Sequence, residues 1–416
     1  MFKTAALNHS ATCPSRIAAS GFLSACHHTS AGVIKQAQAS PCNLLTAIRS
    51  GDRFGALRAE GGFTRGPPYV MNARMTIHAR FCAFLAALAV LFTAQTAGAQ
   101  VYTQAGFEAY LAQVASKARA EGVSDRAIRE GLNGLTINTR VVELDRPQAP
   151  DSPGSSYPPF APYRERHVDA ARIGGGQRTY AANASLIPSI EQRYGVPGEI
   201  LIAIWGHETN YGSYTGGFDT IRSLATLAYE GRRRELFESE LIAALKMLDR
   251  GVTRQQLTGS WAGAIGNPQF LPSVWLKVAQ DGDNNGTRDI WNSRADTLAS
   301  IANYFVEAGW RRGEPWGVPA NVPGNFNRSA NVSRLNAPRC ERVFERHGQW
   351  KTVREWKALG IRPQGMIPDD SFAILFEPDG PGATAYLLTS NYRVILDYNC
   401  SNYYALSVGL LADAIR

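Results

Sequence analysis

Glu208, in the run Ile204-Trp205-Gly206-His207-Glu208-Thr209-Asn210-Tyr211-Gly212, is the side chain best placed for proton transfer. On a helix starting near Pro197, Leu201, Ile204, Trp205 and Glu208 share one face, because residues three and four apart are neighbours. An apolar stripe desolvates a carboxyl, and the negative end of the helix dipole acts in the same direction. Both raise the pKa, which is how a glutamate stays protonated near neutrality as a general acid. The blander reading is a last-turn glutamate that rotates to solvent or pairs with an arginine such as Arg222. Spacing alone leaves both open. The pair His207-Glu208 does not begin a zinc-protease motif, since Tyr211 stands where HExxH needs its second histidine.

Two further segments carry polar chemistry. In Gly259 to Ser273, the small residues Ala262, Gly263, Ala264 and Gly266 let a backbone or a ligand approach closely. Ser260, Asn267 and Gln269 offer donors and acceptors of the kind that read hydroxyl and acetamido groups; a tight packing loop has the same composition. In Asp281 to Asn292, oxygen donors fall at loop positions one (Asp281), three (Asp283), five (Asn285) and nine (Asp289). Gly286 takes the turn position and Thr287 supplies a carbonyl at seven, the order of an EF-hand. Position twelve is Asn292 instead of a bidentate glutamate, so the loop predicts a weaker, structural Ca2+ site; the alternative is a solvated turn.

Elements must position these groups. Residues 101 to 145 are helical and amphipathic, with Phe107, Tyr110, Leu111 and Val114 at helical spacing and a second apolar set around Ile128 and Leu132. Pro150 to Pro162 forms an exposed linker or a long functional loop. Helical signals resume from Ala181 to Tyr194, stop at Gly195, and restart at Pro197. Helices follow over Ile221 to Tyr229 and Arg232 to Asp249, then helix, loop and helix over 260 to 310. Beyond Trp310, Phe372 to Phe376, Thr384 to Leu388 and Tyr392 to Leu396 are strand-like runs, and Tyr403 to Ile415 returns to helix. The fold class is therefore mainly α (α+β), a helical body interrupted by a small β-containing insertion.

The chain has 416 residues and a formal charge of +8, which would suit an anionic partner such as nucleic acid. Residues 1 to 99 hold nine Lys and Arg against Asp52 and Glu60, however, leaving the rest of the chain almost neutral. No nucleic-acid partner is expected. Met71 to Gln100 reads as a secretory signal: Arg74, His78 and Arg80, an apolar run from Phe81 to Phe92, then Ala97-Gly98-Ala99. That run is shorter than the ~20 residues of a membrane span, so no membrane span is expected. Residues 1 to 70 read as a gene-model extension ahead of a start at Met71 or Met75, or as a disordered tail. Cys13, Cys26, Cys42 and Cys82 precede the cleavage point, and the mature chain keeps Cys340 and Cys400. An even pair in an exported chain is most simply a disulfide, worth ~4 kcal/mol by chain entropy; two buried free thiols are the alternative.

Taken in order, these motifs make the chain from about Tyr163 to its end resemble the lytic murein transglycosylase B family of exported peptidoglycan-cleaving enzymes. The resemblance rests on Glu208-Thr209-Asn210-Tyr211-Gly212, the Ser260 to Ser273 stretch, the acidic loop with Trp291, Ile301-Ala302-Asn303-Tyr304-Phe305, and Tyr398-Asn399-Cys400-Ser401. It implies a lysozyme-like catalytic core with Glu208 as sole acid/base. Ser260, Gln269, Tyr304, Tyr398, Asn399 and Tyr404 match positions that line the saccharide cleft, and the acidic loop matches the family's metal loop. Asn267-Pro268 departs from the more flexible pair usual there. The implied organisation is a tail (1–70), a signal (71–99), an N-terminal helical region with linker (100–180), the catalytic core with its EF-hand-like loop (181–312), a β-containing subdomain (313–397), and a C-terminal helix returning to the core (398–416).

The resemblance further implies cleavage between N-acetylmuramic acid and N-acetylglucosamine with a 1,6-anhydro product, so that one carboxyl suffices where most glycosidases need two. The partner is the peptidoglycan glycan strand, the chemistry needs no cofactor, and the protein is a soluble periplasmic monomer. A hydrolytic muramidase and a non-catalytic, calcium-stabilised wall-binding module are the rival readings. Cleavage after Ala99 makes Gln100 the first residue of the exported protein. Intact-mass and N-terminal peptide analysis should find that end; peptides from residues 1 to 70 in the secreted material would contradict it.

Overall fold

Capping residues mark most helix starts. The computed structural model describes residues 102–147, 157–333 and 341–416; the tail, the signal, most of the proline-rich linker and Cys340 lie outside them. Helices α1 (Gln104–Ala120), α2 (Asp125–Leu132) and α3 (Thr139–Asp145) begin at Thr103, Ser124 and Asn138, whose side chains accept from backbone N–H groups two or three residues on. Then come α4 (Ala161–His167), α5 (Ala170–Ala182), α6 (Ile187–Tyr194) and α7 (Gly198–Thr209). The helix expected over Ala181 to Tyr194 is thus the end of α5, a break and α6, and α5 starts eleven residues before the expected point. The Asn183 amide bonds back to the Thr179 carbonyl at 2.7 Å and ends α5, and a proline in the first turn starts α6.

Helix α7 is the hub. Helices α5 and α6, then α11 (Arg294–Glu307) and α15 (Asn402–Ile415), pack around it. Every residue from Ile200 to Thr209 is buried. The apolar stripe expected from spacing is therefore one side of a helix buried on all sides, as an all-round hydrophobic helix must be. Each of its large aliphatic side chains contributes roughly 2 kcal/mol of burial. Beyond the helices packed on this hub, α9 (Arg234–Asp249) packs against both α8 (Thr220–Glu230) and α10 (Pro272–Val278).

A five-stranded antiparallel sheet follows, with strands in the order β4-β6-β7-β3-β5: β3 (Gly317–Asn321), β4 (Lys351–Thr352), β5 (Arg362–Pro363), β6 (Phe372–Phe376) and β7 (Ala385–Leu388). Short helices α12 (Glu341–Phe344) and α13 (Val353–Ala358) accompany it. The sheet has its own small core around fully buried Trp356, whose indole donates to the Ala373 carbonyl at 2.9 Å. The run Tyr392 to Leu396, expected as a strand, lies in helix α14 (Ser390–Tyr398). The Thr389 side chain caps that helix, and Tyr392, Ile395 and Leu396 fall on one buried face. A β-branched and aromatic run was overridden by its cap and its packing.

The two-stranded ribbon β1 (Phe218–Asp219) with β2 (Thr258–Gly259) leads directly into Ser260. Backbones crowd at this point: a Cβ on Gly259 would lie 2.0 Å from the Ala264 carbonyl oxygen, and one on Gly216, at φ +102°, 2.2 Å from Gly259. No side chain can yield to relieve contacts made with backbone. Gly259→Ala is expected to lower stability by on the order of 3 kcal/mol, measured as a fall in the denaturation midpoint; an unchanged midpoint would contradict the packing described.

Candidate active site

Glu208 sits in the last turn of α7, 5% exposed. The chain then turns away sharply, since Asn210, Tyr211 and Gly212 have φ of +48°, +60° and +84°. Two consecutive non-glycine residues in the left-handed region need outside support. It comes from a slot made of glycines. The Tyr211 ring lies where a Cβ on Gly206 or Gly175 would fall, within 2.6 to 2.8 Å, and its hydroxyl and Ile415 crowd the same position on Gly176. Its hydroxyl donates to the Arg172 carbonyl at 2.7 Å, and the Arg172 guanidinium donates to the Gly206 carbonyl at 2.8 Å.

The hydroxyl of Tyr404, on the first turn of α15, donates to Glu208 Oε1 at 2.6 Å. Burial lifts the Glu208 carboxyl to about 8, against the opposing effect of that hydrogen bond. Among the described residues Glu208 makes no ion pair. Arg222, the cation suggested by sequence, donates to the Thr136 and Ile137 carbonyls instead. Burial first, and the charge of Arg172 second, push the neighbouring His207 down to about 3, so it is neutral.

The other cleft residues expected from the sequence relate to this carboxyl unequally: Tyr398 feels its charge and Tyr304 packs on Tyr398, while the hydrogen bonds of Ser260 and Gln269 go to neighbouring backbone. Tyr398 is buried, donates to the Pro268 carbonyl at 2.6 Å, and has its pKa raised by burial and then by the Glu208 charge. Tyr304 packs edge-on against Tyr398 at 4.7 Å and donates to the Asp397 carbonyl. The side-chain oxygen of Asn399 is buried and has no partner among the described residues. Ser260 is half-buried, its hydroxyl accepting from the Ala264 N–H. Gln269, at φ +50°, spends its amide N–H groups on the Thr215 and Gly266 carbonyls, each at 3.0 Å. Of the donor and acceptor that its residue type offers, the acceptor is therefore the one left over.

Asn267-Pro268, the departure noted in the sequence, is a clamp. The Asn267 carbonyl accepts from Thr209 at 3.1 Å, while its amide donates to the Trp291 carbonyl and to Thr297. The acidic loop is thereby tied to the end of α7. Within that loop Asp281 and Asp283 share a cluster with Asp296, their carboxylate oxygens within 4.8 Å of one another. Asp296, buried at the start of α11, is a donor the sequence reading missed. Its only signal was the Ser293-x-x-Asp296 spacing, which reads as a helix cap and is one, Ser293 accepting from the Asp296 N–H. Asn285 accepts from Thr287, and Asn292 donates to Asp289. Hard, all-oxygen donors of this kind fit Ca2+.

Tyr163 was also missed. It lies beside the site, its phenol raised to about 12 by burial first and then by the Glu208 charge. Its ring stacks on His167 one helical turn later, at 3.9 Å. Cys400 is disulfide-bonded.

The family model of the transglycosylase SLT domain matches residues 106–413. Membrane-bound lytic murein transglycosylase B of Escherichia coli K12 is 30% identical over 308 residues, 71% of this chain and 79% of that protein. SltB3 of Pseudomonas aeruginosa, solved in complex with NAG-anhNAM-pentapeptide, is 38% identical with a TM-score of 0.67, covering 74% of this chain and 79% of that one. Slt35 of E. coli, solved in complex with calcium, is 27% identical with a TM-score of 0.60, over 74% and 92%. The chain therefore belongs to the SLT-domain family, as a peptidoglycan lytic transglycosylase of lysozyme-like fold.

Proposed function

We propose that Glu208 alone performs the acid and base steps in cleaving the β-1,4 bond between N-acetylmuramic acid and N-acetylglucosamine, giving a 1,6-anhydromuramoyl product. The observation that carries this reading is a buried carboxyl held near 8 with no charged partner among the described residues. Tyr404 occupies Oε1, so Oε2 carries the transferable proton. That proton passes to the glycosidic oxygen as the C1–O bond breaks. The carboxylate left behind, stabilised by the Tyr404 hydroxyl, takes the proton of the muramoyl C6 hydroxyl as O6 bonds to C1. Glu208 ends protonated, and no water is consumed. The positive charge developing at C1 needs neutral dipoles or the substrate's acetamido group, and the unpartnered Asn399 oxygen is such a dipole. SltB3 was solved with an anhydro-sugar ligand, which agrees with this product class.

Ser260, Gln269, Tyr304, Tyr398, Asn399 and Tyr404 line the glycan cleft in this reading. Asp281 and Asp283, which cluster with Asp296, together with Asn285, Thr287, Asp289 and Asn292 would hold a structural Ca2+ that takes no part in the reaction. Cys340 pairs with Cys400. The enzyme acts in the periplasm as a soluble monomer on glycan strands; among the described residues no helix is long and apolar enough to cross a membrane.

Mass spectrometry of the soluble products from peptidoglycan is expected to find anhydro-muropeptides. Glu208→Gln should lower their yield about 10³-fold or more. Reducing-end products, or retained activity in the variant, would overturn the proposal. The protonation state has a second consequence. The folded protein holds the Glu208 proton from about pH 4.5, where an unfolded chain releases it, up to about 8. Wild-type stability therefore falls across that window relative to the non-titrating Glu208→Gln, by roughly a few kcal/mol. Parallel melting curves of the two proteins from pH 4 to 9 check it, and constant separation would contradict it.

A further inference from the structure

A recess of about 560 Å³ opens beside the end of α7, between α5 and the start of α11. It is lined by Asp169, Arg172, Arg178, Asn210, Tyr211 and Arg294, among others, and Glu208 is not one of its walls. Three arginines face one acid here. Asp169 is partly committed, accepting from the Arg172 N–H as the cap of α5. Among the described residues Arg172, Arg178 and Arg294 make no ion pair. Arg172 is fixed through one nitrogen by the Gly206 carbonyl at 2.8 Å, while its Nε is buried without a partner. Trp205 also lines the recess; it is 5% exposed and its indole N–H has no partner among the described residues.

Guanidinium groups left without carboxylates suit a ligand that carries carboxylates. The volume is that of a site for a small ligand. Two of its wall residues, Trp205 and Asn210, stand three and two positions from Glu208, so the recess borders the end of the helix that carries the proposed acid. An extended tripeptide spans roughly 10 Å, about the width of that helix. Peptidoglycan stems hang from the muramoyl ring and bear free carboxylates.

We propose that the Arg172, Arg178 and Arg294 recess binds the carboxylates of the stem peptide on the sugar whose bond is cleaved. The placement of that sugar rests on the reading of Glu208 given above. Arg178 and Arg294 are exposed, so they can be replaced without disturbing the core. Calorimetric titration of the full chain carrying Glu208→Gln, with NAG-NAM-pentapeptide and with peptide-free NAG-NAM, tests the proposal. Adding Arg178→Ala and Arg294→Ala is expected to raise Kd for the pentapeptide form about tenfold or more and to leave that for NAG-NAM unchanged. Equal changes for both ligands, or none, would overturn the stem site and leave the reading of Glu208 standing. Failure of the parent to bind either ligand would overturn both.

Discussion

The structure depends on keeping one carboxyl uncharged inside protein. A glutamate lifted to about 8 must be kept from water and from cations alike, since a neighbouring guanidinium would restore its charge. The surrounding residues meet both conditions. Arg172, whose charge reaches the neighbouring His207, is held by a helix carbonyl, and Arg222, the cation that the sequence suggested, goes to the Thr136 and Ile137 carbonyls. His207, one residue from Glu208, is too buried to accept a proton near neutrality. What faces the carboxyl is a phenol, which binds both of its protonation states. Tyr404 lies 196 residues away in sequence, so the last helix must return to α7 before the acid has any partner.

A second requirement is that the end of α7 be held still, because the helix stops one residue after Glu208 in a left-handed turn. Two supports converge there. On one side Tyr211 fills the slot left by Gly175, Gly176 and Gly206. On the other, Thr209 bonds to Asn267, which bonds to Trp291 and Thr297. That second path leads into the acidic loop, where three carboxylates crowd within 4.8 Å. Their mutual repulsion is opposed by backbone N–H groups, Gly282 and Asp289 donating to Asp296 and Gly286 donating to Asp281. A bound cation would strengthen the same arrangement, giving the loop a mechanical link to the acid 73 residues earlier in the chain without any part in proton transfer.

Much of this was legible in the sequence, and the failures have physical causes. The apolar run before Glu208, the Gly195 stop and the periodic helices α8, α9 and α15 are local signals, and the structure follows them. Tyr392 to Leu396 misled because β propensity is decided by packing, and here the Thr389 cap placed the run on a helix. Tyr163 was missed because its importance is tertiary, coming from Glu208 far along the chain, and Asp296 because it lies just outside the twelve-residue loop and meets Asp281 and Asp283 only through the turn into α11. Gln269 was identified as a polar group at the site, but its donors are consumed by carbonyls that no spacing rule reveals.

The proline-rich segment shows how a stretch without periodicity can still be structural. Its described end, from Tyr157, bridges α15 and the turn after β6. Pro158 accepts from the Tyr403 hydroxyl on α15, and the Phe160 N–H donates to Asp379 beside the sheet at 2.6 Å. Phe160 is buried and packs on Tyr403 at 5.2 Å. Arg346 completes the junction, reaching the Tyr403 hydroxyl and the Pro378 carbonyl while covering the rings of Tyr157 and Phe376. The residue next to Tyr403 is Tyr404, the partner of Glu208. Fixing Tyr403 from the strap and from the sheet side therefore fixes the turn of α15 that carries the phenol. Proline suits that task, because a chain whose backbone is already restricted loses less entropy when it is laid down as a strap.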